Sequence, residues 1–113
     1  MKISELGAFL GADLIQNKYK DVEVSGIYAS DLLSDVLGNA PDNAVLITIQ
    51  AHRNTVAVAS TKDSPAIIIC NDRPVPPDMI EAAAQEDIAV FLTKENQYTV
   101  SGRLYAALNG LHA

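Results

Sequence analysis

A-I-I-I-C-N-D-R-P-V-P-P-D-M-I-E-A-A-A-Q-E-D-I-A-V-F-L-T, residues Ala66 to Thr93, carries the pattern that decides the fold. An apolar run from Ala66 to Cys70 stops at a polar loop, Asn71-Asp72-Arg73. A helical stretch follows Pro76-Pro77, and a second apolar run, Ile88 to Leu92, closes the unit. Neither run alternates between apolar and polar residues. Strands of that kind are covered on both faces, as in parallel sheets flanked by helices. Between the runs, the alanines and unbranched side chains of Met79 to Glu86 favour helix. Ile80, Ala83, Ala84 and Asp87 mark the narrow stripe expected to lie on the sheet. Pro76 and Pro77 suit a helix start, where a missing N–H costs little, and Asp78 and Glu81 complement the positive end of the helix dipole. The unit reads as strand, crossover helix and strand, with a right-handed crossover. The competing reading, a helical hairpin with two apolar connections, needs longer runs.

Length and composition bound the rest. A chain of 113 residues suffices for one core, so residues 1–113 are expected to form a single domain. With 49% hydrophobic residues the chain is not disordered by default, and its net charge of −6 with few aromatics makes it a poor nucleic-acid binder. No apolar run approaches the ~20 residues that span a bilayer, and the N-terminus lacks a signal-peptide pattern. The single cysteine, Cys70, has no partner for an internal disulfide and reads as a small core residue at a strand end. A reducing, cytoplasmic location is the simple expectation.

The flanking sequence extends the alternation of strands and helices. Ile3 to Leu10 reads as a helix capped by Ser4 and ended by Gly11. Ala12 to Ile15 reads as a short strand, and the alternation through Val22, Val24, Gly26 and Tyr28 as a less buried one. Ser30 and Asp31 are expected to cap a helix through Leu32, Leu33, Val36 and Leu37, ended by Gly38. Ala44 to Ile49 is another apolar strand. Val56 to Ala59 suits strand by its branched residues and helix by its position; Asn54 as a cap and the need for a crossover decide for helix. A last helix runs from about Gln97 to Asn109, with Val100, Leu104, Ala107 and Leu108 inward. Tyr98 and Tyr105 share one of its faces, at the core edge or on a dimer surface. The fold class is therefore α/β, a mainly parallel sheet built from βα repeats, with strand order open and a two-layer arrangement still allowed.

In an open parallel sheet the loops after the strands emerge at one edge, where ligands bind. Here those loops hold Ser30 and Asp31; His52, Arg53 and Asn54; Asn71, Asp72 and Arg73; and Thr93 with Lys94. Helix N-termini favour anions, and the two arginines suit a carboxylate or phosphate. These residues form the candidate binding site for a small anionic ligand or nucleotide. The competing reading has them capping helices and tying loops together, with Asp72 paired to Arg73 or Arg53.

Chemistry-bearing motifs are sparse. His52, His112 and Cys70 have no metal-ligand spacing. Ser30, His52 and Asp72 could be imagined as a triad, but no G-x-S-x-G occurs. There is no G-x-x-x-x-G-K-[ST] and no G-x-G-x-x-G, so a P-loop kinase is not supported. No catalytic residue, metal or cofactor is expected.

From about Leu6 to Leu108 the chain resembles the DRTGG domain family. The residues that carry the resemblance are V-S-G-I-Y-A-S-D-L-L (Val24 to Leu33), A-V-L-I-T-I-Q-A-H-R-N-T-V (Ala44 to Val56), A-I-I-I-C-N-D-R-P (Ala66 to Pro74) and I-A-V-F-L-T (Ile88 to Thr93). The pentapeptide that names the family is not present as such. Arg53 and Asn71-Asp72-Arg73 are partial echoes of it. The family is similar to the N-terminal domain of HPr kinase/phosphatase and also occurs beside CBS domains in regulatory pyrophosphatases. The resemblance implies a non-enzymatic α/β module that dimerises or transmits regulation to a partner protein. The alternative is a sensor of an anionic ligand at the sheet edge.

Overall fold

Both apolar runs of the central unit are strands, and they lie side by side. The computed structural model describes residues 1–111. The chain passes through a 3-10 turn (Ile3–Glu5), α1 (Leu6–Leu10), β1 (Asp13–Gln16), β2 (Ile27–Ala29), α2 (Leu33–Asn39) and β3 (Val45–Thr48). It continues through α3 (Arg53–Thr61), β4 (Ala66–Ile69), α4 (Pro77–Gln85), β5 (Ala89–Leu92) and α5 (Gln97–Leu108). The five strands form one sheet in the order β1-β5-β4-β3-β2. β2 to β5 are parallel; β1 joins the far edge antiparallel to β5.

Each step from β2 to β5 moves to the next position in the same direction. Right-handed crossovers then place α2, α3 and α4 on one face. Val36, Val56, Met79 and Ala83 from these helices pack there against Leu46, Ile67, Ile69 and Val90. The alternate strand residues, Val45, Ile47, Ile68 and Phe91, meet Leu6, Leu10, Val100 and Leu104 from α1 and α5 on the other face. Helices therefore cover both faces, and of the two arrangements the sequence left open, three layers is the one formed. β3 and β4 are buried at every position, which is why their sequences do not alternate.

Several local expectations are corrected. Ser4 does not cap the first helix: its N–H and Oγ both donate to Asp21, at 2.9 and 2.7 Å. The strand expected from Val22 to Tyr28 is only Ile27–Ala29. Val22 and Val24 instead exchange backbone bonds with Ile3 and Met1, tying the N-terminus down. α2 runs one residue past Gly38, since nothing at that glycine requires a positive φ. His52, not Asn54, caps α3, because its Nδ1 accepts the Asn54 N–H at 3.0 Å. On α4 Ala83 is buried as expected, but Met79 is buried with it while Ile80 and Ala84 are only half-buried. Asp87 lies beyond the helix end with φ of 56° and bonds Lys18. Leu108 is 36% exposed, and Ala106 is buried in its place.

Candidate functional site

All nine candidate residues lie at the carboxyl edge of the parallel strands: seven on the loops that follow β2, β3, β4 and β5, and Arg53 and Asn54 in the first turn of α3. The edge they share is largely occupied by internal hydrogen bonds.

Asp31 is its organising group. One carboxylate oxygen accepts from Thr48 Oγ1 at 2.9 Å, from the Ile49 N–H at 2.9 Å and from Gln97 Nε2 at 3.0 Å. The loop after β2 is thereby fixed to the end of β3 and to the first residue of α5. With its carboxylate turned into the sheet, Asp31 does not cap α2, contrary to the sequence expectation; Leu32 stands at the cap without a side-chain bond. Ser30 Oγ instead accepts the Leu32 N–H at 3.2 Å. Thr48 and Thr93 are buried, and each hydroxyl accepts the N–H two residues on, from Gln50 and Glu95, both at 3.1 Å. Such bonds shape a loop.

The loop after β4 turns at Asn71 and Asp72, whose φ angles are 62° and 51°. Two consecutive left-handed residues, with the Arg73 N–H on the Cys70 carbonyl at 3.4 Å, make a type I′ turn. Asn and Asp tolerate that geometry better than other side-chain-bearing residues. The turn has a consequence for the edge. The chain leaves β4 towards α4 on one face and β5 towards α5 on the other, the divergence that opens a ligand crevice in α/β sheets. Here the Asn71 N–H bonds the Glu95 carbonyl at 2.9 Å and the Asp72 N–H bonds the Thr93 carbonyl at 2.8 Å. Backbone stitches across the divergence and closes it.

What stays open is a hollow of about 230 Å3 between the loops after β3 and β4, lined by Gln50, His52, Arg73 and Pro74 among others. Arg53 and Arg73 are exposed. Among the described residues neither forms an ion pair, so the pairing with Asp72 that the competing reading put there is absent. No hydrogen bond joins Ser30, His52 and Asp72 among the described residues. Cys70 is fully buried, and burial, with the Asp31 charge nearby, pushes its thiol up to about 11. A thiol so placed is protonated and inert at neutral pH. His112 lies outside the described residues. Among the described residues no group of acidic, histidine or cysteine side chains is gathered as a metal site, and no helix is long and apolar enough to cross a membrane.

The sequence reading missed Thr48 and Gln97 as the partners of Asp31. The available signal was the cap: Asn96 accepts the Thr99 N–H at 2.9 Å, and a side chain immediately after such a cap sits at the strand edge from which its helix departs.

Residues 47–108 match the family model described as HPr Serine kinase N terminus. The matched segment is more than half of the 113 residues. The chain belongs to this family. The DRTGG-like character expected from the sequence is thereby confirmed. The matched segment runs from β3 to α5 and includes three of the four edge loops. An HPr kinase/phosphorylase of Streptococcus uberis is 38% identical over 52 residues, which are 46% of this chain and 17% of that protein. The fold also matches a crystal structure of the CBS and DRTGG domains from the regulatory region of Clostridium perfringens pyrophosphatase, complexed with its activator diadenosine tetraphosphate. There the TM-score is 0.73 at 14% identity, over 90% of this chain and 45% of the other. The chain thus spans less than half the length of these two relatives. The fold is that of a DRTGG domain.

Proposed function

We propose that this chain is a non-catalytic regulatory module, one DRTGG-like domain over residues 1–113, that works as a homodimer on a partner protein in the cytoplasm. The observation that carries this reading is how the edge uses its polar groups. Asp31, His52 and Thr93, the side chains with which acid–base or nucleophilic chemistry would begin, are each engaged as acceptors that hold a loop or a helix start. The protonated, buried thiol of Cys70 adds no nucleophile. Family membership and the similarity to a regulatory region support the same reading.

A second reading rests on one further observation. Arg53 and Arg73 are exposed near the start of α3, beside the open hollow. That arrangement suits a phosphate or carboxylate. A thermal-shift panel of nucleotides, phosphate esters and small carboxylates separates the two. A ligand at a hundred times its dissociation constant adds about 2.7 kcal/mol, a rise of roughly 10 °C for a chain of this size. The regulatory module predicts a flat panel. A rise that disappears in the R53A/R73A variant would replace it with the sensor.

A further inference from the structure

We infer that β2 and the outer face of α5 form the surface through which a second copy of this chain docks. This rests on the homodimer proposed above and gives that dimer its interface.

The two edges of the sheet are finished differently. β1 carries Asp13 and ends in Gln16, whose amide donates to the carbonyls of Lys18 and Ile88. Polar and charged edge residues of this kind discourage pairing with another chain. β2, at the other edge, is Ile27-Tyr28-Ala29, with no charge. Gly26 O and Ser30 N bond β3, so by alternation the backbone groups of Ile27 and Ala29 face outwards, free to pair.

Beside this edge α5 presents a face that none of the described residues covers. Tyr98 is 88% exposed, Tyr105 65% and Leu108 36%. Their spacing of seven and three residues puts them on one side of the helix. Between helix and strand runs a groove of about 890 Å3, with Ser25, Gly26, Ser101 and Gly102 among its lining. The surface thus holds large rings and, next to them, a depression walled by small residues. Those are the two halves of a self-complementary contact about a two-fold axis.

Charge argues for a second copy over another occupant. A chain of net charge −6 resists association with itself wherever acids face each other. Among the described residues no acidic side chain lines this groove, and the one charged group there, Arg103, is turned away to donate to the carbonyls of Phe9 and Leu10. The exposed rings supply a sizeable share of the area a dimer needs. A stable interface removes about 800 Å2 per partner, against a total surface of 5972 Å2. The two tyrosines alone supply about 300 Å2 of it.

The test is sedimentation equilibrium of the full chain from micromolar to sub-millimolar concentration, with variants Y98K/Y105K, G102R and L14E. A Cβ added at Gly102 meets nothing within 4 Å, so G102R can enter the groove from an unstrained helix position; thermal melts check that each variant is folded. L14E alters the opposite edge of the sheet and serves as control. The expected result is a dimer for the parent chain and L14E, with dimerisation weakened about 30-fold or more in Y98K/Y105K and G102R, the size of a hot-spot loss. Folded variants that dimerise with the parent constant would overturn the assigned face and leave the homodimer standing. A parent chain that stays monomeric throughout would overturn both.

Discussion

Asp31 separates a structural edge from a catalytic one. Its carboxylate oxygen accepts three hydrogen bonds, one of them from the fully buried Thr48. In the D31A variant the Thr48 hydroxyl and the Ile49 N–H lose their acceptor, and stability should fall by about 2–3 kcal/mol in urea unfolding. D31N keeps an acceptor oxygen and should lose about 1 kcal/mol. Unchanged stability in D31A would contradict the structural role. Asn71 carries the second residue-scale prediction. At φ of 62° it occupies a region that a β-branched side chain enters only with strain. N71V should therefore cost about 1–2 kcal/mol and loosen the stitch between the loops after β4 and β5. Chemical type and loop membership of these residues were legible in the sequence; their partners were not. Ser30 and Asp31 look like caps from spacing alone, because the competing donor, the Thr48 hydroxyl at the end of β3, is 17 residues away.

At the scale of elements, the βα units were legible because burial on both faces removes the alternation from β3, β4 and β5. That signal survives without knowledge of the neighbours. β1 and β2 were read less well. Both are edge strands, and half-exposed edges carry weak patterns. Val22 and Val24 alternate as a strand would, yet serve to anchor the first residues of the chain. Asp21 completes that anchor. Its bonds from the Ser4 N–H, first, and the Ser4 hydroxyl hold its carboxyl below the ordinary value of 3.8. A depressed folded value means that the contribution is fully present above the unfolded value and is lost as pH falls through the folded one. Thermal midpoints measured between neutral pH and pH values below 3.8 should therefore drop on the acid side. The drop should be shallower in D21N, which has no charge to lose there. An identical acid limb in the two proteins would show that the anchor contributes nothing.

Across the whole molecule, the order β1-β5-β4-β3-β2 puts three helices on one face and leaves the other to α1 and α5. Strand order was open in the sequence because an apolar run identifies a buried strand without naming its neighbours. The same order leaves β2 at an edge with α5 beside it, where the exposed tyrosines gather. Their exposure was not legible either: seven-residue spacing is shared by core and interface faces, and only the placement of Val100 and Leu104 on the sheet turns Tyr98 and Tyr105 outwards. The carboxyl edge, where α/β folds usually bind ligands, is stitched shut between β4 and β5, while the uncovered apolar surface lies elsewhere. That division of surfaces is the physical basis for reading the chain as an interaction module. Amide hydrogen exchange at low and high protein concentration tests it most directly. The account predicts that added protection at high concentration falls on Ile27–Ala29 and on α5, with the loops at 49–54 and 71–74 unchanged. Protection that does not depend on concentration, or that gathers on those loops instead, would contradict it.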